Sequence, residues 1–188
     1  RGAIVKTAPG LSLSAILIQT SDPLMSNVKI RRALAHAIDF KEMAETKLLG
    51  LTEFNPSGVA ESSAYFDKSF QAWPKYDPEA AKKLLKEAGY KGEPIKMQTN
   101  KRYIGMYENA VVVQAMLNAA GFNVQLDVID WAAQLENWMS GKFQLQSFGY
   151  SSRADPMLMY GTIIGNKAKA PTSKWDDAEA QALYLKAL

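Results

Sequence analysis

The chain has 188 residues, 47% of them hydrophobic and 22% charged, the composition of a globular protein with room for one ordinary domain or two lobes sharing a core. It contains no cysteine and one histidine, His36, which excludes disulfide frameworks, thiolate metal sites, cysteine nucleophiles and imidazole-rich metal centres. With 22 Lys+Arg against 19 Asp+Glu the net charge is +3, too small and too scattered for a nucleic-acid surface, so no nucleic-acid partner is expected.

The sequence opens on Arg1 without a charged-then-apolar leader and stops at Leu188 inside an amphipathic pattern (Glu179, Leu183, Leu185), which suggests a piece of a longer or processed chain. The longest apolar run falls far short of the roughly 18 residues that a membrane span needs.

Residues 11–20 form an apolar stretch with partial alternation and predict a strand, ended by Ser21-Asp22-Pro23. From Val28 the spacing turns helical, with Ile30, Leu34, Ala37 and Ile38 on one face. Asp39 followed by Glu42 has the form of a capping box opening a second helix, Phe40–Leu49, closed by Gly50. Residues 51–76 lack periodicity, yet Phe54, Tyr65, Phe66, Phe70 and Trp73 predict an ordered loop. The best-punctuated helix follows: Asp77 as N-cap, Pro78 at the first helical position, Ala81, Leu84, Leu85 and Ala88 as the apolar face, and Gly89 just past the end.

After Gly92 the pattern runs strand (Pro94–Thr99), helix (Tyr107–Ala120), strand (Phe122–Ile129), helix (Trp131–Ser140), strand (Phe143–Tyr150). This makes 93–150 a βαβαβ core and the fold class α/β, with a mixed, partly parallel sheet flanked by helices.

Catalytic chemistry finds little support. A Ser–His–Asp triad would have to use His36, which lies between Ala35 and Ala37 in a structural-looking helix and is expected to make a local hydrogen bond. Asp127 sits on the polar face of a strand, and Asp176-Asp177 suits the opening of the last helix. Gly161-Thr162-Ile163-Ile164-Gly165 lacks the spacing of a phosphate loop. Neither catalysis, a metal nor a cofactor is expected.

Binding is better served. Phe148-Gly149-Tyr150-Ser151-Ser152-Arg153-Ala154-Asp155-Pro156 leads from a strand end into a turn, where ligands of α/β sheets gather. An aromatic ring, two hydroxyls, a guanidinium and a carboxylate there can stack on and orient a ligand, although Asp155 also suits a cap. Another strand end carries Thr99-Asn100-Lys101-Arg102-Tyr103. Trp131 opens the helix after the next strand, and Trp138 falls on the same face, so both are also candidates for the core.

At these residues a family resemblance enters. Val28–Asp39, VKIRRALAHAID, resembles the VRxALxxAID signature of the bacterial extracellular solute-binding proteins of family 5, the peptide, nickel and opine receptors of ABC importers. Tyr76–Tyr90 is similar to that family's YDPxxAxxLLxEAGY helix, and Gln114–Val124, Trp131, Gly141-Lys142-Phe143, Gly149-Tyr150 and Trp175-Asp176-Asp177 follow its downstream order.

The resemblance implies a periplasmic-binding-protein-like lobe of type II, with 1–188 as most of the second lobe of a clamshell. It implies a non-enzymatic substrate-binding component, periplasmic or lipid-anchored outside the cell, that meets permease subunits and a first lobe of its own chain. A single lobe supplies half a site, so weak solute binding in isolation is expected. The family's cleft aromatic falls on Tyr150, its neighbour on Ser151 and its helix-start Trp on Trp131. Where the peptide receptors hold the peptide's ammonium group with an aspartate, this sequence has Arg153, a charge reversal. A register shift would put Asp155 in that role. The expected solute is a peptide or a peptide-like or opine-like compound whose anionic group meets Arg153 with help from Arg102. The expected contact set is therefore Tyr150, Ser151, Ser152, Arg153, Asp155, Trp131, Arg102, Tyr103 and Asn100. The alternatives are a carboxylate-dependent hydrolase lobe and a peptide-binding, chaperone-like module.

Overall fold

The structure, a computed structural model, describes Lys6, residues 10–47, 54–172 and 175–188. Strand β1 (Leu13–Ile18) leads through a turn to helices α1 (Val28–Ala37) and α2 (Phe40–Lys47). Helix α3 (Pro78–Glu87) then precedes β2 (Pro94–Thr99), α4 (Ile104–Ala119), β3 (Asn123–Val128), α5 (Trp131–Ser140) and β4 (Leu145–Tyr150). The short α6 (Met157–Tyr160) and α7 (Ala178–Ala187) complete the order. Among the described residues no helix is long and apolar enough to cross a membrane.

Punctuation in the sequence sets most boundaries. Asn27 and Asp77 accept hydrogen bonds from Lys29 N–H and Ala80 N–H, both at 2.9 Å, and fix the starts of α1 and α3. Gly89 ends the α3 segment at φ 73°, the left-handed conformation that costs glycine least. The Asp39 carboxylate accepts from Glu42 N–H at 2.9 Å at the start of α2, whereas Leu48, Leu49 and Gly50 lie outside the described residues. In the described part of the connection between α2 and α3, residues 54–77, aromatic side chains pack together: Phe40 of α2 stacks on Phe54 at 4.7 Å and Trp73 meets Phe54 edge-on at 5.8 Å. The same segment holds a 3-10 turn, Lys68–Gln71, capped by Asp67.

Several boundaries shift by one to three residues from the sequence expectation, and two of these shifts have a local cause. Helix α4 begins at Ile104, three residues early, because Asn100 fixes Tyr103 as its N-cap. The apolar period hides this turn, since Ile104 is exposed and Gly105 has no side chain. Strand β4 begins at Leu145 because Lys142 and Phe143 remain in the turn after Gly141, their N–H groups bonded to Asn137 O and Gly141 O.

The sheet has the order β1-β4-β2-β3, with β2 parallel to both β3 and β4 and β1 antiparallel to β4. It is the mixed, helix-flanked α/β sheet that the sequence predicts. The chain steps from β2 to β3 and then back across β2 to β4, so the winding reverses at β2 and α4 and α5 lie on opposite faces.

On the α4 face, Ile95, Met97, Val124 and Leu145 pack with Val113 and Leu117 of α4, Ile30 and Leu34 of α1, and Leu85 of α3. On the α5 face, Leu17, Phe143 and Phe148 pack with Trp131, Leu135 and Trp138. His36 is a helix residue as expected, but its bond is not local. Its Nδ1 pairs with Lys75 O at 2.8 Å and ties α1 to the loop before α3.

Candidate functional site

The ends of β2 and β4 are adjacent, and three segments meet there: 100–103 after β2, 150–155 after β4, and the first turn of α5. Together they form a continuous aromatic wall. Tyr103, 44% exposed, sets its ring edge-on to Trp131 at 5.0 Å and 82°. Trp131 packs against Phe148 at 5.5 Å, and Phe148 against Tyr150 at 5.3 Å. Trp138, two turns further along α5 on the same side, stacks on Phe148 at 5.4 Å and backs the wall from within. The core role expected of the two tryptophans therefore holds for Trp138, while Trp131 packs both against the core cluster and against Tyr103 in the wall.

Charge lies at the rim. The Arg102 guanidinium carbon is 5.8 Å from the Tyr103 ring centroid and Lys101 Nζ is 5.1 Å from that of Tyr107, both within cation–π reach. Arg153 stands exposed in the loop Ser151–Asp155, and every residue of that loop is solvent-facing.

Two contacts hold the loop. The Ser152 and Ser12 hydroxyls lie 2.9 Å apart, and the Asp155 carboxylate accepts from Met157 N–H at 2.8 Å at the start of α6. Asp155 thus has the capping role that its place before Pro156 suggests. Gly149 admits Met106 close to the sheet, since a Cβ there would lie 3.1 Å from its Cε.

Tyr150 is half-buried, and its hydroxyl is enclosed without a well-formed hydrogen bond. Burial pushes its phenol above the usual tyrosine range, with the nearby Trp138 and Thr162 groups pulling the other way.

Of the expected contact residues, Tyr103, Trp131, Tyr150 and Arg102 gather at the wall, and Ser151, Ser152, Arg153 and Asp155 form its rim loop. Asn100 does not face the site. It is 1% exposed, and its amide is spent on Gln134 Oε1 at 2.8 Å and Tyr103 N–H at 2.9 Å. Sequence reasoning missed Gln134 and Ser12. Gln134 is the buried residue of α5, at a position where periodicity leads one to expect an apolar side chain.

An open cavity of about 640 Å³ lies elsewhere, near the start of β4, lined by Lys96, Gln98, Asp127 and Lys142 among others. It shares no residue with the aromatic wall. Among the described residues no group of three or more His, Asp or Glu side chains is placed to hold a metal ion.

The sequence profile "Bacterial extracellular solute-binding proteins, family 5 Middle" matches residues 2–170. The chain belongs to this family. The heme-binding protein A of Haemophilus influenzae is 26% identical to this family 5 chain over 190 residues, covering 95% of it and 34% of the relative. The glutathione-binding protein GsiB of Escherichia coli is 28% identical over 141 residues, covering 74% of the chain and 27% of the relative. Among solved structures, HbpA2 from Haemophilus parasuis superimposes with a TM-score of 0.81 at 26% identity, covering 95% of this chain and 36% of that one. The chain thus spans between about a quarter and a little over a third of the length of these family 5 relatives, and its α/β architecture is the periplasmic-binding-protein-like fold that they share.

Proposed function

We propose that this chain is the second lobe of the substrate-binding component of an ABC importer. The complete protein encloses a peptide or peptide-like solute between two lobes and presents it to permease subunits at the outer face of the membrane, without chemical turnover. The juxtaposition that carries this reading is the aromatic wall Tyr103–Trp131–Phe148–Tyr150, flanked by Arg102 and Arg153 at adjacent strand ends.

Aromatic faces supply contact area at little entropic cost, and guanidinium groups select planar anions such as carboxylates and phosphates. The solute is accordingly one with an anionic group near Arg153, and closure of the partner lobe removes that contact from water, where it is strongest. A relative named for glutathione, a peptide-like acid, agrees with this choice.

The test is mass spectrometry of the small molecules released by denaturing the complete natural chain, freshly purified from its host. A single acidic compound is the expected result. A ladder of unmodified peptides would keep the transport reading and remove Arg153 from specificity, and a protein that releases and rebinds no solute would overturn the reading.

A further inference from the structure

Beneath α5, two pairs of carboxamide side chains are joined through the main chain of Gln134 into one hydrogen-bonded chain across the sheet. Gln98 on β2 and Gln146 on β4 are paired in register. Gln146 Nε2 donates to Gln98 Oε1 at 2.8 Å and to the main-chain oxygen of Gln134 at 3.2 Å. Gln134 Nε2 donates to Ser147 O at 2.9 Å, which leaves its Oε1 to accept from Asn100 Nδ2 at 2.8 Å. Asn100 Oδ1 then accepts from Tyr103 N–H at 2.9 Å. The four side chains, Gln98, Gln146, Gln134 and Asn100, are 8%, 0%, 0% and 1% exposed.

The polarity of this chain is forced. Ser147 O can only accept, so Gln134 must turn its NH₂ group there and its carbonyl toward Asn100. Asn100 must then present NH₂ to Gln134 and its carbonyl to the loop. Stability alone does not call for such an arrangement, because Gln146 Oε1 is left buried without a partner, a cost that an apolar filling of the same volume avoids. What the chain supplies is position. It joins α5, which carries Trp131 one turn before Gln134, to β4, which leads to Tyr150, and to the loop that carries Tyr103.

We infer that Gln134 and Asn100 are positioning residues of the solute cleft, setting the Tyr103–Trp131 corner through buried amide bonds without touching the solute. The inference rests on the cleft reading given above for its functional consequence, and on the hydrogen bonds alone for its structural part.

The test uses the complete natural chain with Gln134→Met, which keeps the side-chain length and leaves the Asn100 amide only the weak acceptor Met106 Sδ, at 3.3 Å. Asn100→Ser is the second variant, keeping an oxygen for Tyr103 N–H and cutting the tie to Gln134. Hydrogen exchange at the Tyr103 amide is one readout. The other is affinity for the compound that the wild-type protein releases on denaturation, returned to protein freed of it.

In Gln134→Met we expect Tyr103 exchange to quicken and affinity to fall, each by about tenfold, the factor for one net hydrogen bond, while the Val113 amide keeps its protection. In a Tyr103→Ala background the same substitution should change affinity less than about twofold, because the corner it acts through is gone. A folded Gln134→Met protein with unchanged Tyr103 exchange and affinity would overturn the inference. So would an equal loss in both backgrounds, which marks a merely structural role. If Tyr103→Ala alone leaves affinity unchanged, the cleft reading fails, and Tyr103 exchange still decides whether Gln134 holds the loop. Should Gln134→Met not fold, Asn100→Ser carries the same comparison.

Discussion

The hydroxyl of Ser12 lies 2.9 Å from that of Ser152, so the segment leading into β1 is bonded to the loop that carries Arg153. The contact lies just beyond the Leu13–Tyr150 pair that ends the β1–β4 ladder. Both groups are exposed, which limits the bond to the low end of the usual net range. Ser152→Ala should lower stability by at most about 1 kcal/mol. Hydrogen exchange should quicken at 151–155 and remain unchanged in β2 and α4; a global change in exchange would show that the bond has a wider role.

Arg153 is the residue on which solute charge is proposed to depend. In the complete natural chain, Arg153→Ala should weaken binding of an acidic solute by about 2–5 kcal/mol, the range for truncating one partner of a covered charge pair. Arg153→Lys should recover part of the loss, because the charge stays and the planar fork goes. Isothermal titration with the released compound measures both, and an unchanged affinity for Arg153→Ala would remove the residue from the site.

Tyr150 gives the fold a dependence on alkaline pH. Its folded pKa is raised from 10.0, chiefly by burial, so the folded state holds the phenolic proton more tightly than the unfolded chain. The stability linked to this group is complete below the unfolded value near pH 10 and declines as pH rises through the higher folded value. Denaturation curves for Tyr150→Phe should therefore fall less steeply above pH 10 than those of the unsubstituted protein. Tyr90 and Tyr160 are raised in the same direction, so some decline should remain.

Gly141 closes α5 at φ 72°, and a Cβ there would lie 2.9 Å from both Gln19 Nε2 and Pro171 Cβ. Gly141→Ala combines left-handed strain with a clash and should cost about 1–3 kcal/mol. Thermal denaturation measures the loss. A neutral result would mean that the 19–22 and 167–171 segments yield freely.

The parts of the fold that sequence made legible are those written by local chemistry. Asp77 and Pro78 start α3, Gly89 and Gly141 end helices in the left-handed conformation, and Asp177 caps α7 through Ala180 N–H at 2.8 Å. Strand order was not legible, since the pairing of β1 with β4 joins residues such as Ile18 and Leu145 that no local pattern links. Tyr150, Trp131 and Tyr103, singled out from their places at strand and helix ends, come together in one aromatic wall. Asn100 has the same sequence signature as a surface ligand residue, and only the tertiary position of Gln134 turns its amide inward. A glutamine on an apolar helix face carries no periodic signal, so the buried amide chain appears only in three dimensions.

The central claim is that solute lies against the wall formed at the ends of β2 and β4. A crystal structure of the complete natural chain, purified from its host with solute retained, tests it most directly. The account predicts solute density packed on Tyr103, Trp131 or Tyr150 with an anionic group within hydrogen-bond distance of Arg153. Density that touches none of these residues, for instance in the cavity lined by Lys96 and Lys142, would contradict it.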